Sequence, residues 1–327
     1  NNIMREAKEI FYDKDFIDKL DSKTHLLAFS NGVVDFHEKC FRKGRPEDYI
    51  SKSTNIDYRP INEKRDSVVM KEITDFMSQL FPIKELNKYM WDHLASCLIG
   101  TNQNQTFNIY TGNGRNGKSK LVELMSLILG EYKGTVPITL ITQKRNNIGS
   151  TSPEVMQLMG TRYAVMQEPS KGDRINEGIM KEITGGDPIQ GRALFKDSVT
   201  FVPQFKLVVC TNTMFEIKSN DDGTWRRIRV CDFKSKFTEN PIKDDPDEPY
   251  QFPVDKKIEA KFEKWKYVFA AMLVDITYKN QGNVEDCEIV MGKSMDYREG
   301  QDYLSEFLKE KIQKKEGKKI KKTELYL

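Results

Sequence analysis

From Ser67 the apolar residues Val68, Val69, Ile73, Phe76, Met77 and Leu80 recur three and four positions apart, and after Pro82 the residues Leu86, Tyr89, Met90, Leu94 and Leu98 repeat the pattern. That spacing puts each set on one face of a helix, so two amphipathic helices are expected before Gly100. Upstream, residues 1–60 read as short mixed elements, with a turn at Ser30-Asn31-Gly32 feeding the strand-like run Val33-Val34-Asp35-Phe36. Beyond Gly100 the period changes. Short apolar runs at 106–110, 162–167, 206–211 and 227–233 predict strands, and segments 118–129 and 176–184 predict helices between them. Apolar strands alternating with helices argue for an α/β core around a parallel sheet, its strands covered on both faces. Residues 238–253 carry four prolines and five acids and read as a loop; a long helix is expected over 254–278 and a lysine-rich helical segment from Asp302.

Composition narrows this picture only slightly. Over 327 residues, 52 Lys and Arg stand against 49 Asp and Glu, an excess of 3 that announces no polyanion partner by itself. Local charge says more, because residues 309–322 carry eight lysines against two glutamates. Such a run is either a solvated helix face or an attraction for nucleic acid. The odd, widely spaced Cys40, Cys97, Cys210, Cys231 and Cys287 fit buried thiols in a reducing, cytosol-like compartment better than disulfides or zinc. No apolar run is long enough for a membrane span, so a membrane partner is not expected. The missing initiator Met and the amphipathic pattern still running at residues 322–327 suggest a piece of something longer.

Candidate chemistry concentrates at residues 112–119. Gly112-Asn113-Gly114-Arg115-Asn116-Gly117-Lys118-Ser119 fits G-x-x-x-x-G-K-[ST], with an apolar strand before it and a helical pattern after it. Glycines at those places let backbone N–H groups turn onto phosphates, Lys118 reaches the terminal phosphates, and the Ser119 hydroxyl ligates Mg²⁺. ATP with Mg²⁺ is therefore the expected cofactor set. Hydrolysis also needs an acid at a neighbouring strand end, and Glu168 closes the run Tyr163-Ala164-Val165-Met166-Gln167-Glu168. Asn212 ends a third apolar run and is expected in the same crevice. His25, His37 and His93 are isolated in sequence and read as surface or core residues.

These motifs resemble, in order, those of the superfamily three helicases, in particular the primase-helicases of large DNA viruses, phage satellites and plasmids. The resemblance rests on residues 112–119, on Val165-Met166-Gln167-Glu168-Pro169, and on Lys181-Glu182-Ile183-Thr184-Gly185-Gly186-Asp187 through Arg192. It continues with Thr211-Asn212 and Asp222-Gly223-Thr224-Trp225-Arg226-Arg227. It implies an AAA+-like P-loop NTPase core at 101–240, after a lead-in region at 1–60 and a helical collar-like region at 61–100. A C-terminal helical part at 241–300 and the start of a winged helix at 301–327 would follow.

The same resemblance implies an ATP-dependent DNA helicase: a homo-oligomeric ring, hexameric, with ATP at each subunit boundary, moving 3′ to 5′ on single-stranded DNA. An upstream primase domain is expected in the full-length protein. Lys118, Glu168, Asn212, Arg226 and Arg227 would be catalytic, Asn212 as sensor and an arginine as the cation given to the neighbouring subunit. Adjacent residues of a strand point to opposite faces, so one of the two arginines is expected in that role, with a slight lean to Arg227. Ser119 and Glu168 would hold Mg²⁺, with Glu168 also the general base, since Gln167 stands where the family often has a second acid. Residues 192–202 read as a hairpin around Lys196-Asp197-Ser198, which the family places in the ring's channel. Lys181, Arg192, Phe195 and Lys196 are the expected DNA contacts, while Lys181 and Arg192 equally read as partners of Glu182 and Asp187, and Phe195 as a brace of the hairpin. A DNA-stimulated ATPase that loads or remodels replication proteins, or a small-molecule phosphotransferase, would use the same loop.

Overall fold

The computed structural model describes residues 2–142, 152–167, 172–195, 198–301 and 319. Helices α1 (Asn2–Ile10) and α2 (Phe16–Lys19) precede an antiparallel meander of β1 (Leu26–Phe29), β2 (Gly32–Asp35) and β3 (Cys40–Arg42). The turn expected at 30–32 is the β1–β2 hairpin, closed by Phe29 opposite Gly32. Helix α3 (Glu63–Leu80) starts before its apolar pattern does, because the Asn62 side chain accepts a hydrogen bond from Arg65 N at 3.2 Å and caps the first turn. Helix α4 (Lys84–Ser96) follows as expected.

The central sheet contains β4 (Phe107–Thr111), β5 (Lys133–Val136), β6 (Tyr163–Gln167), β9 (Lys206–Cys210) and β10 (Ile228–Asp232), all parallel, in the order β10-β4-β9-β6-β5. The antiparallel hairpin of β7 (Ile189–Arg192) and β8 (Ser198–Phe201) leaves the sheet between β6 and β9. Strand β4 thus lies inside the sheet with the later β9 and β10 on either side, which makes its C-terminal end a topological switch point. Helix α5 (Lys118–Leu129) leads from β4 toward β5, and the short α6 (Thr139–Thr142) and α7 (Pro153–Met156) lie between β5 and β6. Helix α8 (Glu177–Gly185) leads into the hairpin, and α9 (Asp222–Trp225) runs into β10. The chain then forms a parallel ribbon of β11 (Lys236–Thr238) and β12 (Gln251–Pro253), α10 (Ile258–Asn280) and α11 (Glu288–Gln301).

Side chains alternate across the sheet as strand geometry requires. Phe107 and Ile109 of β4 pack with Leu207 and Val209 of β9, beneath Met180 of α8 and Phe215. Tyr110 and Val208 face the other way, onto Leu121 and Met125 of α5, and that layer continues through α3, α4 and α10. The α/β class and parallel sheet expected from the sequence are therefore present. Three elements were not legible. Strand β5, Lys-Gly-Thr-Val, has one buried side chain, and the β11–β12 ribbon spans a segment whose prolines mask it; α11 carries few apolar residues. The expected helix at 254–278 begins only at Ile258, after β12.

Cys97, Cys231 and Cys287 are buried and Cys40 and Cys210 partly so, all as free thiols. His25 and His37 are not isolated, since their rings stack 4.0 Å apart. His93 is buried, its Nε2 2.8 Å from the Tyr110 hydroxyl. Among the described residues no helix is long and apolar enough to cross a membrane. The lysine-rich segment, and with it the expected start of a winged helix, lies outside the described residues, Lys319 excepted.

Candidate nucleotide-binding site

Strand β4 runs straight into the glycine loop, and the loop conformation explains two of its glycines. Gly112 has φ +136° and Gly117 φ +82°, where a side chain is strained. A Cβ on Gly117 would lie 2.3 Å from Leu80 Cδ2, and one on Gly112 would lie 2.6 Å from Phe233 O. The loop is therefore braced from behind by α3 and by the segment after β10, and Phe237 N donates to Arg115 O at 2.8 Å. Gly114 has open space around it and Asn113, Gly114 and Arg115 are exposed.

Within this frame Lys118, the first residue of α5, is only 8% exposed. Its Nζ donates to Gly112 O at 2.9 Å and to Asn212 Oδ1 at 2.8 Å. The first and third predicted groups thus meet, because Asn212 lies just beyond β9, the strand beside β4. Thr211 N continues that ladder by donating to Tyr110 O at 3.0 Å. Asn116 is buried; its Oδ1 accepts from Lys118 N at 3.3 Å, whereas its Nδ2 has no partner. An unmatched donor beside a lysine at the start of a helix is what an anion would satisfy, so the residues present fit a bound phosphate. Ser119 is exposed on the first turn of α5.

Glu168 lies outside the described residues; the strand before it ends with Gln167 in register with Cys210, at the same sheet edge as Asn212. One acid escaped the sequence reading. Asp232 ends β10, paired in register with Thr111 beside the glycine loop. Its signal is the one that pointed to Glu168, a carboxylate closing an apolar run. The loop opens on a cleft of about 980 Å³ lined by Gly112, Asn113, Asn212, Asp232, Tyr250 and Tyr297, among others. That volume suits a mononucleotide.

The arginines lie elsewhere. Arg226 and Arg227 are not on a strand, as expected from the sequence, but in the turn between α9 and β10, at the N-terminal edge of the sheet. Phe107 N donates to Arg227 O at 2.7 Å, so the pair borders the start of β4 while the loop leaves its end. The length of a five-residue strand, roughly 15 Å at about 3.3 Å per residue, separates them. Burial also separates the two arginines. Arg227 is 9% exposed and donates to Gly223 O at 2.6 Å, whereas Arg226 is exposed. Desolvation, and then the neighbouring Arg226, holds the Arg227 guanidinium below its ordinary pKa.

Of the expected DNA contacts, Lys181 pairs with Asp221 at 2.8 Å. That bond, followed by those from Ser219 and Thr224, holds the Asp221 carboxyl well below the usual range. Arg192 is exposed at the end of β7, where its backbone accepts from Ser152 N at 2.8 Å. The hairpin expected at 192–202 spans 189–201 instead, so Arg192 ends its first strand. Phe195 at its tip is 95% exposed with φ +58°. Lys196 lies outside the described residues.

A five-stranded parallel sheet with a glycine loop at the switch point and a lysine at the helix start defines a P-loop-type α/β core. The comparisons with known proteins extend this. The D5 N-terminal-like family matches residues 1–95, and a family of unknown function matches residues 110–227. A protein of Acanthamoeba polyphaga mimivirus named "Putative helicase" is 37% identical over 315 residues, 94% of this chain and 32% of its own length. A protein of the same name from Invertebrate iridescent virus 3 is 36% identical over 241 residues, covering 72% of this chain and 26% of the relative. One named "Putative primase" from African swine fever virus is 26% identical over 331 residues, covering 95% and 33%. The chain belongs to this primase-helicase family of large DNA viruses, and it spans 26% to 33% of the length of these relatives. Among solved structures, the apo C-terminal region of NrS-1 shares the fold at a TM-score of 0.52 and 13% identity, over 77% of this chain and 54% of that one.

Proposed function

We propose that this chain is the ATP-hydrolysing motor part of a viral replicative DNA helicase of superfamily three type, working as a ring of identical subunits, six by the family pattern, on single-stranded DNA. The observation that carries this reading is the placement of the arginines. A subunit's own Arg226 is a strand length away from its own Lys118, so a cation from that segment reaches a phosphate only on an adjacent copy. In this reading the backbone of residues 112–118 cradles the phosphates of ATP, Lys118 leaves its bonds to Gly112 O and Asn212 for the terminal phosphates, and Asn212 reports their presence. Ser119 and Glu168 would hold Mg²⁺, which supplies charge neutralisation to the β- and γ-phosphates when bound. Asp232 is the further acid at that edge. The exposed Phe195, with Lys181, Arg192 and Lys196, faces DNA from the hairpin and its root, where stacking and phosphate contacts need no base readout. The names of the relatives support a replication role and an upstream primase domain in the whole protein.

The test is strand displacement on a forked duplex alongside ATP hydrolysis, for the parent and for Lys118→Ala and Lys196→Ala. The expected result is loss of both activities in the first variant and loss of displacement in the second. Hydrolysis without displacement in the parent would instead assign a loading or remodelling ATPase. No hydrolysis, or hydrolysis indifferent to Lys118, would overturn the motor reading.

A further inference from the structure

The turn before β4 consists of four consecutive amide residues, Asn102-Gln103-Asn104-Gln105, and each side chain donates to a main-chain carbonyl of a different place in the chain. Asn102 Nδ2 reaches Pro203 O at 3.1 Å, where the hairpin returns to β9. Gln103 Nε2 and Asn104 Nδ2 each reach, at 3.2 Å, the carbonyls of Gln281 and Gly282 just after α10. Gln105 Nε2 reaches Gly185 O at 2.7 Å, at the end of α8, where the chain turns into the hairpin. Both roots of the hairpin therefore hang on this one turn, itself anchored to the end of α10.

Gln105 has a second set of partners. Its Oε1 accepts from Arg226 Nη2 at 2.8 Å and from Arg227 Nη2 at 3.3 Å. The orientation of the amide is unambiguous, because guanidinium only donates and a carbonyl only accepts. Gln105 also holds φ +50°, with its N–H donating to Asn102 O at 3.0 Å. A non-glycine residue stays in the left-handed region only where its surroundings over-determine it. Here the four anchors do so, and the result is an acceptor aimed at the arginine pair.

We propose that Gln105 is a positioning residue that fixes Arg226 for the neighbouring subunit's nucleotide and links that arginine, through Gly185 and the turn, to both roots of the hairpin. This rests on the motor reading above. Through it, the arginine side chain and the hairpin share one rigid connection. Occupancy at the subunit boundary and engagement of DNA at the hairpin thus bias the same element.

The test uses mixed rings. Gln105→Leu removes the bonds to Gly185 O, Arg226 and Arg227, and its ATP hydrolysis is expected to fall on the order of 10²-fold through misplacement of Arg226, with binding of a fluorescent ATP analogue retained. Mixing it with Lys118→Ala, which lacks the loop lysine but keeps the arginine segment, is expected to restore hydrolysis above that of either variant alone. A merely unfolded Gln105→Leu subunit would contribute no loop and restore nothing. Gln105→Glu keeps an acceptor for both guanidinium groups but cannot donate to Gly185 O. It is expected to hydrolyse faster than Gln105→Leu and yet to lose stimulation by single-stranded DNA.

Parent-level hydrolysis in Gln105→Leu overturns the proposal, as does a Gln105→Leu subunit that binds the analogue but fails to complement. So does a Gln105→Glu protein that DNA stimulates as strongly as the parent. If instead Lys118→Ala hydrolyses at the parent's rate, the motor reading has failed, and the positioning role with it.

Discussion

At the C-terminal edge of the central sheet the candidate chemistry is held by backbone and by one lysine, in a loop braced against Leu80, Phe233 and Phe237. At the N-terminal edge it is held by arginine side chains hung on the amide of a single glutamine. The first edge is a finished cradle with its conformation set by local contacts. The second presents a cation outward, its guanidinium groups donating to Gln105 and to the main-chain carbonyl of Gly223. The same five strands that build the cradle keep the two apart, and on the proposed motor reading the arginine serves the cradle of an adjacent copy.

The sharpest way to break this comparison is to disable each edge separately. Lys118→Ala is expected to lower ATP hydrolysis on the order of 10³-fold, read in a steady-state phosphate-release assay, because no other side chain replaces its contact to the terminal phosphates. Arg226→Ala is expected to lower the same rate on the order of 10²-fold while nucleotide affinity, measured by fluorescence titration, moves by less than about threefold. Equal losses of affinity in the two variants would place the arginine at its own subunit's cradle and remove the distinction between the edges.

Smaller effects sharpen it. Arg227→Ala acts on folding rather than on a neighbour, because this guanidinium is buried and bonded to Gly223 O, and denaturant melts should show a loss of roughly 1–3 kcal/mol. Within the cradle, Gly117→Ala meets both a positive φ and Leu80, and it should cost about 1–3 kcal/mol in the same melts. Gly114→Ala, with nothing near its Cβ, should change stability by no more than about 0.5 kcal/mol.

A further effect is a slope with pH. Burial pushes the His93 imidazole down to about 3 from an ordinary value of 6.5, since the charged form would lose its hydration on the buried face of α4. The unfolded chain takes up that proton first, so stability is intact above pH 6.5 and falls as the pH drops toward about 3, by up to about 1.4 kcal/mol per pH unit. His93→Gln keeps a neutral partner near the Tyr110 hydroxyl and should flatten this limb of the stability curve, measured by urea melts between pH 7 and pH 4.

Much of this molecule was legible in one dimension. The glycine loop is a local device: its strand, turn and helix are contiguous, and two of its three glycines, Gly112 and Gly117, are demanded by a positive φ and a close approach. Periodicity located α3, α4, α8 and four strands of the sheet for the same reason, since a repeat of three to four or of two is a property of neighbouring residues. It could not register β5, whose residues carry no apolar pattern, nor the ribbon whose strands are separated by a proline-rich stretch.

The amino-acid sequence by itself determined what each group is: a lysine after a glycine turn, an asparagine and an acid closing apolar runs, two adjacent arginines, a basic-tipped hairpin. Only the tertiary structure decided where they stand relative to one another. It seated Lys118 on Asn212, 94 positions away in the chain. It brought Asp232 beside the loop, and it buried Arg227 while leaving Arg226 exposed. It set an unremarked glutamine, Gln105, in hydrogen-bond contact with both arginines and with Gly185 O at the end of α8. The physical reason is that strand order and register are set by the packing of whole elements, and no pattern of neighbours along the chain encodes which strand end will face which.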